Sequence, residues 1–109
     1  MDVTTELMVI TMEECGELIQ ECSKLLRKRY VYKRDKMSQD TKDSLTKEIG
    51  DVKCMLSLIE EIGFVDEHEV TIAMDKKREK LKKWSSLITY MDAKMRFGNE
   101  YSIDVKKTT

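Results

Sequence analysis

The chain has 109 residues, with 20 lysines and arginines against 21 aspartates and glutamates, and its formal net charge is −1. It contains no proline and only four glycines, which excludes proline-rich linkers and disfavours a turn-rich β-sandwich. Because hydrophobic residues make up 40% of the chain and charged residues 38%, the composition indicates a sharply amphipathic helical domain and not a disordered chain.

The charge balance and the cysteines also bear on partners and compartment. A protein that binds a nucleic-acid backbone usually carries a marked excess of basic residues. This chain has no such excess, so we expect no nucleic-acid partner. No run of 18 apolar residues and no basic N-terminal region occur, so we expect neither a membrane span nor a secretory signal. The odd cysteine count (Cys15, Cys22, Cys54) favours buried free thiols in a reducing cytoplasm over disulfides or a zinc site.

Hydrophobic periodicity predicts a first helix from about Thr4 to Arg29. Its apolar residues fall on one arc that we expect to face the core: Leu7, Met8, Cys15, Leu18, Ile19, Cys22, Leu25 and Leu26. Residues 30–40 interrupt this pattern and predict a basic loop, at the end of which Ser38 or Asp40 could cap the next helix.

The second helix is predicted from Thr41 to Ile62, and Gly63 follows it in the place of a helix C′ glycine. Its apolar stripe consists of Leu45, Ile49, Val52, Leu56 and Ile59. Asp66 then opens a third helix, with Glu69 three residues later as in a capping box.

The apolar stripe of the third helix, in which we expect Trp84 to lie in the core, consists of Val70, Ala73, Met74, Leu81, Trp84 and Ile88. This helix is predicted to break near Ser85–Ser86, which leaves a short fourth helix that ends before Gly98. The sequence therefore predicts an all-α fold, a helical bundle of three long helices and a short C-terminal helix. We expect residues 1–98 to form one domain and residues 99–109, which carry little apolar content, to be a flexible tail.

Two short stretches repeat one pattern of acid, apolar residue, glycine, acid, apolar residue. They are Glu14-Cys15-Gly16-Glu17-Leu18 on the first helix and Glu48-Ile49-Gly50-Asp51-Val52 on the second. Acids three positions apart project from the same side of a helix, and each pair borders the apolar stripe of its helix. When the stripes pack, we expect the four carboxylates to meet at the edge of the core, where Glu21 could join them.

Such a convergence is costly without cations, because like charges repel and burial raises the penalty. Hard divalent cations remove this cost, and all-oxygen sites that suit Mg²⁺ or Mn²⁺ commonly serve phosphates. A solvated helix face is the simpler explanation of any single acidic pair. Two matched pairs favour a metal site more than a single pair does, because each contains a mid-helix glycine that lowers helix stability by about 1 kcal/mol relative to alanine.

The two acidic pairs resemble the hallmark of the MazG-like all-α nucleoside triphosphate pyrophosphohydrolases, which is an ExxE pair on one helix and an ExxD pair on the next. The stretch EECGELIQE at residues 13–21 is also similar to the first helix of that family, and the resemblance spans residues 5–85. It implies that Mg²⁺, with Mn²⁺ as a possible substitute, is held by four residues: Glu14, Glu17, Glu48 and Asp51. It further implies that Glu17 helps to position the attacking water.

The same resemblance implies hydrolysis of a nucleoside or deoxynucleoside triphosphate to the monophosphate and pyrophosphate, in the control of nucleotide pools. It also implies a homo-oligomer, either a dimer or a tetramer. Four lysines are candidate contacts for the triphosphate: Lys24, Lys28, Lys77 and Lys80. The simpler alternatives are helical ion pairs with nearby acids for the first two and snorkelling at the third stripe for the other two.

Two rival functions stay open at this point. An enzyme of the same fold could act on phosphoribosyl-ATP instead of ordinary nucleoside triphosphates. A non-enzymatic helical protein could dimerise or regulate through its apolar stripes and bind no metal.

Overall fold

A computed structural model describes residues 1–28 and 37–97 of the chain. The described part contains four helices and no strand: α1 (Val3–Lys28), α2 (Gln39–Glu61), α3 (Glu67–Trp84) and α4 (Leu87–Phe97). The all-α prediction is thus confirmed for these residues, whereas most of the predicted basic loop and the tail at residues 99–109 lie outside them. None of the described helices combines the length and the apolar content that crossing a membrane requires.

Side-chain caps define the starts of α2 and α3. Ser38 Oγ accepts a hydrogen bond from the backbone N–H of Thr41 at 3.2 Å, so Ser38 is the cap of α2. An oxygen of the Asp66 carboxylate accepts one from the backbone N–H of Glu69 at 3.0 Å. These bonds satisfy amides of the first turn that have no partner within the helix, and the prediction of Asp66 as a cap is confirmed.

The helix ends also follow the predicted signals. Gly63 follows α2 with a φ of +86°, a left-handed conformation that glycine adopts at no steric cost. Ser85 is extended, with φ −145° and ψ 153°, and separates α3 from α4 where the break is predicted. Its Oγ accepts a hydrogen bond from the backbone N–H of Leu87 at 3.0 Å, which fixes the start of the fourth helix.

The chain divides into two compact units, and the first, Met1–Val65, consists of α1 packed against α2. Leu7 on α1 and Met55 on α2 are buried. Half-buried residues at alternating spacings of three and four continue from them along the facing sides of the two helices, as expected for helices that bury one stripe. We call these positions the inner rows: Leu7, Thr11, Glu14, Leu18, Glu21 and Leu25 on α1, and Leu45, Glu48, Val52, Met55 and Ile59 on α2.

The apolar arcs predicted for α1 and α2 are wider than the faces that the structure covers. Ile19, Leu26 and Met12 form an outer row on α1 at seven-residue intervals, and each is 66% exposed or more. Ile49 and Leu56 on α2 are exposed as well, so the prediction that all stripe residues lie in the core is wrong. The physical reason is that each helix of this unit packs against one other helix, which covers one side of it.

The three cysteines also differ in how far they are buried. Cys15 is half-buried, whereas Cys22 and Cys54 are exposed. The prediction of buried thiols is therefore wrong for the latter two. All three are free in the structure.

The second unit begins at Asp66 and pairs α3 with α4. Ile88 and Tyr90 of α4 are buried, and Arg78 of α3 lies 4.0 Å from Asp92 of α4. Two of the predicted stripe residues of α3, Val70 and Leu81, are half-buried.

Trp84, which we expect in the core, is instead 81% exposed, and Ala73 and Met74 are exposed too. Trp84 is the last residue of α3, and the extended Ser85 turns the chain away, so no further helical turn follows to cover the indole. The third helix forms as predicted, but the expected burial of these three side chains is wrong.

Candidate metal centre

Four carboxylates converge in the middle of the first unit. Glu14 and Glu17 from α1 and Glu48 and Asp51 from α2 each contribute one oxygen, and these oxygens all lie within 4.8 Å of one another. We call this group the carboxylate cluster. The structure thus brings together the two acidic pairs of the sequence, while the identity of what they bind stays a prediction.

The cluster has a buried side and an open side. Glu14 and Glu48 belong to the inner rows, and the Glu48 side chain is only 12% exposed. Glu17 is exposed and the Asp51 side chain is 38% exposed. A ligand could therefore approach from solvent past Glu17 and Asp51 and reach two carboxylates that the helix packing holds in place.

Two oxygens of the cluster are left without a hydrogen-bond donor. Glu14 Oε2 and Glu48 Oε2 are buried and have no hydrogen-bond partner among the described residues. A buried carboxylate oxygen without a donor or counter-ion costs free energy, and a bound ion is one of the partners that removes this cost. The donor set therefore fits a hard cation, and solvated helix faces do not account for these two buried oxygens.

Charge repulsion within the cluster is visible at Glu14. Burial raises the pKa of the Glu14 carboxyl above its ordinary value, and the negative charges of Glu17, Asp51 and Glu48 raise it further, in that order. The fully ionised cluster is thus electrostatically unfavourable as it stands. A divalent cation would counter the repulsive part of this effect at the place where it arises.

Lys47 supplies a positive charge to the cluster. Its Nζ lies 2.8 Å from Asp51 Oδ2 and 3.4 Å from Glu48 Oε1. The hydrogen bond to Asp51 and the charges of Asp51 and Glu48 raise the pKa of this ammonium group above its ordinary value. The sequence interpretation missed Lys47, although its position four residues before Asp51 is a spacing at which helical ion pairs form.

The predicted triphosphate contacts are distributed over both units. Lys24 pairs with Glu21 at 3.1 Å, the simpler alternative for this lysine, and Glu21 is not part of the cluster. Lys28 is exposed in the last turn of α1. Lys77 and Lys80 are exposed on α3 in the second unit. A contact between any of the four lysines and a substrate stays a prediction.

The two glycines of the acidic pairs are not required by the packing of the described chain. A Cβ atom added at Gly16 or Gly50 meets no atom within 4 Å. Gly16→Ala and Gly50→Ala are each expected to raise the free energy of unfolding by about 1 kcal/mol, because alanine is the better helix former. Urea unfolding followed by circular dichroism measures this change.

Gly63→Ala serves as the opposite control, since the left-handed φ of +86° disfavours any side chain, and it is expected to lower the urea midpoint. A lower midpoint for Gly16→Ala or Gly50→Ala would contradict the open space described at these positions.

Comparisons of the chain with models of protein families, with curated proteins and with solved structures find no match. The likeness to the MazG-like family therefore stays a resemblance between motifs.

Proposed function

We propose that this protein is a Mg²⁺-dependent nucleoside triphosphate pyrophosphohydrolase, which hydrolyses a nucleoside or deoxynucleoside triphosphate to the monophosphate and pyrophosphate. The observation that carries the proposal is the carboxylate cluster with its two buried, unpartnered oxygens. Carboxylate oxygens are the ligands of hard divalent cations such as Mg²⁺ and Mn²⁺, which commonly serve phosphates. The resemblance of the two acidic pairs to the MazG-like motifs supports the same reaction.

The four members of the cluster would hold the cation, and the role of each would depend on its exposure to solvent. Bound Mg²⁺ would supply Lewis-acid stabilisation of phosphate charge and would lower the pKa of a water molecule. Glu14 and Glu48 would provide donors fixed by the packing of α1 against α2. Glu17, the exposed member, would orient the attacking water through its carboxylate, and Asp51 would complete the donor set on the open side.

The anionic substrate also needs positive charge from the chain. Lys24 and Lys28 of the first unit are the proposed contacts, and both are exposed, whereas a role for Lys77 and Lys80 stays a prediction from the sequence. The i,i+3 pair between Lys24 and Glu21 does not oppose this role, because an exposed ion pair is weak and can exchange partners.

We also propose that the protein works as a homo-oligomer, a dimer or a tetramer. The outer row of α1 supports this, because apolar residues at seven-residue intervals are typical of a helix that packs against a further helix. A second copy of the chain would remove these side chains from water.

A non-enzymatic helical association protein is the second candidate. The outer row and the exposed Trp84 favour it, because exposed apolar groups serve association whether or not the cluster binds a cation. The cluster separates the two candidates, since association alone requires no saturable binding of Mg²⁺ or Mn²⁺.

The test is hydrolysis of each nucleoside and deoxynucleoside triphosphate with Mg²⁺, with the products resolved by ion-exchange chromatography. We expect equal amounts of monophosphate and pyrophosphate from the preferred substrate, and loss of both when a chelator removes the cation. Release of orthophosphate in place of pyrophosphate, or hydrolysis that survives chelation, contradicts the proposal.

Phosphoribosyl-ATP belongs in the same panel, because a preference for it would keep the reaction and change the substrate. If no compound is hydrolysed and Mn²⁺ does not bind saturably, the association protein is the better description.

A further inference from the structure

We propose that Lys47 is an internal competitor of the divalent cation, whose ammonium group holds Asp51 and Glu48 in the cation-free protein and leaves them when the cation binds. This inference rests on the metal site of the proposed function and concerns how that site is filled. It assigns to Lys47 a role in tuning cation affinity and no role in the chemical step.

The geometry places one ammonium group on two members of the cluster. Lys47 Nζ lies 2.8 Å from Asp51 Oδ2 and 3.4 Å from Glu48 Oε1. The four carboxylates of the cluster bring their oxygens within 4.8 Å of one another, so a cation bound by all four would lie within a few ångströms of this Nζ. Two positive charges at such a separation repel, and both draw on the same carboxylates. Binding of the cation and retention of the Lys47 contacts therefore oppose each other.

The Lys47 contacts are also easy to give up. The Lys47 side chain is 66% exposed and that of Asp51, its nearer partner, is 38% exposed, and ion pairs at such positions contribute little to stability because water and salt screen them. The long stem allows the ammonium group to turn into solvent without any change in α2.

The ammonium group satisfies only part of the cluster. Its ion pairs are with the two acids of α2, while Glu14 Oε2 and Glu48 Oε2 stay buried without a hydrogen-bond partner among the described residues. A divalent cation carries twice the charge of the ammonium group and offers several coordination positions. Its interaction with the cluster is therefore more favourable in free energy than that of Lys47. A monovalent cation such as K⁺ carries the same charge as Lys47 and gains little by displacing it. Lys47 would thus keep monovalent ions out and set the concentration at which a divalent ion enters.

The test compares Mn²⁺ binding to the nucleotide-free protein and its variants, by calorimetry and by the electron paramagnetic resonance signal of free Mn²⁺. We expect Lys47→Gln to lower the Mn²⁺ dissociation constant about two- to fivefold, the scale set by an exposed ion pair. Lys47→Arg keeps the charge and is expected to stay close to the wild-type protein.

The matched control is Lys53→Gln. Lys53 lies on the same helix, is exposed and has no ion pair among the described residues, so its removal changes the net charge equally. We expect this control to leave the dissociation constant near the wild-type value at physiological salt, because the more distant charge is screened.

Thermal unfolding gives a second measurement that does not depend on catalysis. In the presence of a chelator, Lys47→Gln is expected to unfold at a lower temperature than the wild-type protein, because the cluster loses its positive charge. Added Mn²⁺ is expected to raise the unfolding temperature of Lys47→Gln more than that of the wild type, because tighter binding stabilises the folded state more.

The outcomes separate the inference from the proposed function. Saturable Mn²⁺ binding by the wild type with equal dissociation constants for Lys47→Gln and Lys53→Gln overturns the inference and leaves the metal site intact. Weaker binding by Lys47→Gln also overturns it, since Lys47 would then support the site. If the wild type binds no Mn²⁺ saturably, both the metal site and the inference are wrong.

Discussion

Glu17→Gln is expected to lower the rate of the proposed pyrophosphate release by about 1000-fold, because the proposed metal site would lose one charged ligand and with it several kcal/mol of transition-state stabilisation. The variant keeps the size and most of the hydrogen-bonding capacity of the side chain, and Glu17 is exposed, so the helices are expected to persist. A coupled assay for pyrophosphate measures the rate, and far-ultraviolet circular dichroism measures the helix content.

Glu13→Gln is the matched control for this experiment. Glu13 is exposed on the same helix and lies outside the carboxylate cluster, so the control removes the same charge without touching the site. Asp51→Asn is expected to reproduce the loss from the α2 side. If Glu17→Gln and Asp51→Asn hydrolyse the substrate as fast as Glu13→Gln does, the cluster is not the catalytic site.

Glu14→Gln is expected to make the cation-free protein more stable and to remove most of its response to Mg²⁺ or Mn²⁺. In the wild type, burial and three neighbouring carboxylates oppose the charge of Glu14, and a neutral amide avoids this penalty. A site filled at 100 times its dissociation constant stabilises a folded protein by about 2.7 kcal/mol, which the variant is expected to lose almost entirely. Thermal unfolding with chelator and with Mn²⁺ measures both effects.

The pH dependence gives this prediction a definite sign. Because the pKa of Glu14 is raised in the folded chain, its protonation favours folding below the ordinary value of 4.5, and this contribution is lost as the pH rises through the raised value. The stability advantage of Glu14→Gln over the cation-free wild type is therefore expected to be largest at neutral pH and to shrink toward pH 4. An advantage that grows on acidification would contradict the assignment of the raised pKa.

The helix bounds and the meeting of the acidic pairs could be predicted because both depend on local rules. Ser38, Gly63 and Asp66 are caps or terminators whose chemistry acts within four residues. The acidic pairs follow from the helical period, which places Glu14 and Glu48 along the same sides as the apolar residues. Packing those sides against each other was enough to bring the carboxylates together.

Burial could not be predicted in the same way, because it depends on which neighbour covers a helix. Leu18 and Ile19 are adjacent in sequence and both lie on the predicted arc, yet the first is half-buried and the second is exposed. The error at Trp84 and at Cys22 has the same origin. Lys47 was missed for another reason, since its spacing of four residues from Asp51 predicts only a helical ion pair and does not show that the ammonium group also contacts Glu48.

The division of the carboxylate cluster between two helices has a consequence for the local opening of the first unit. Two of its members come from α1 and two from α2, so a cation held by all four would form a reversible cross-link between the two helices. Separation of α1 from α2 would then require release of the ion, and local opening of this pair would slow as the site fills. The amides of α1 and α2 would then gain protection from hydrogen exchange together. The bound ion would thus set the rate of local opening of the first unit.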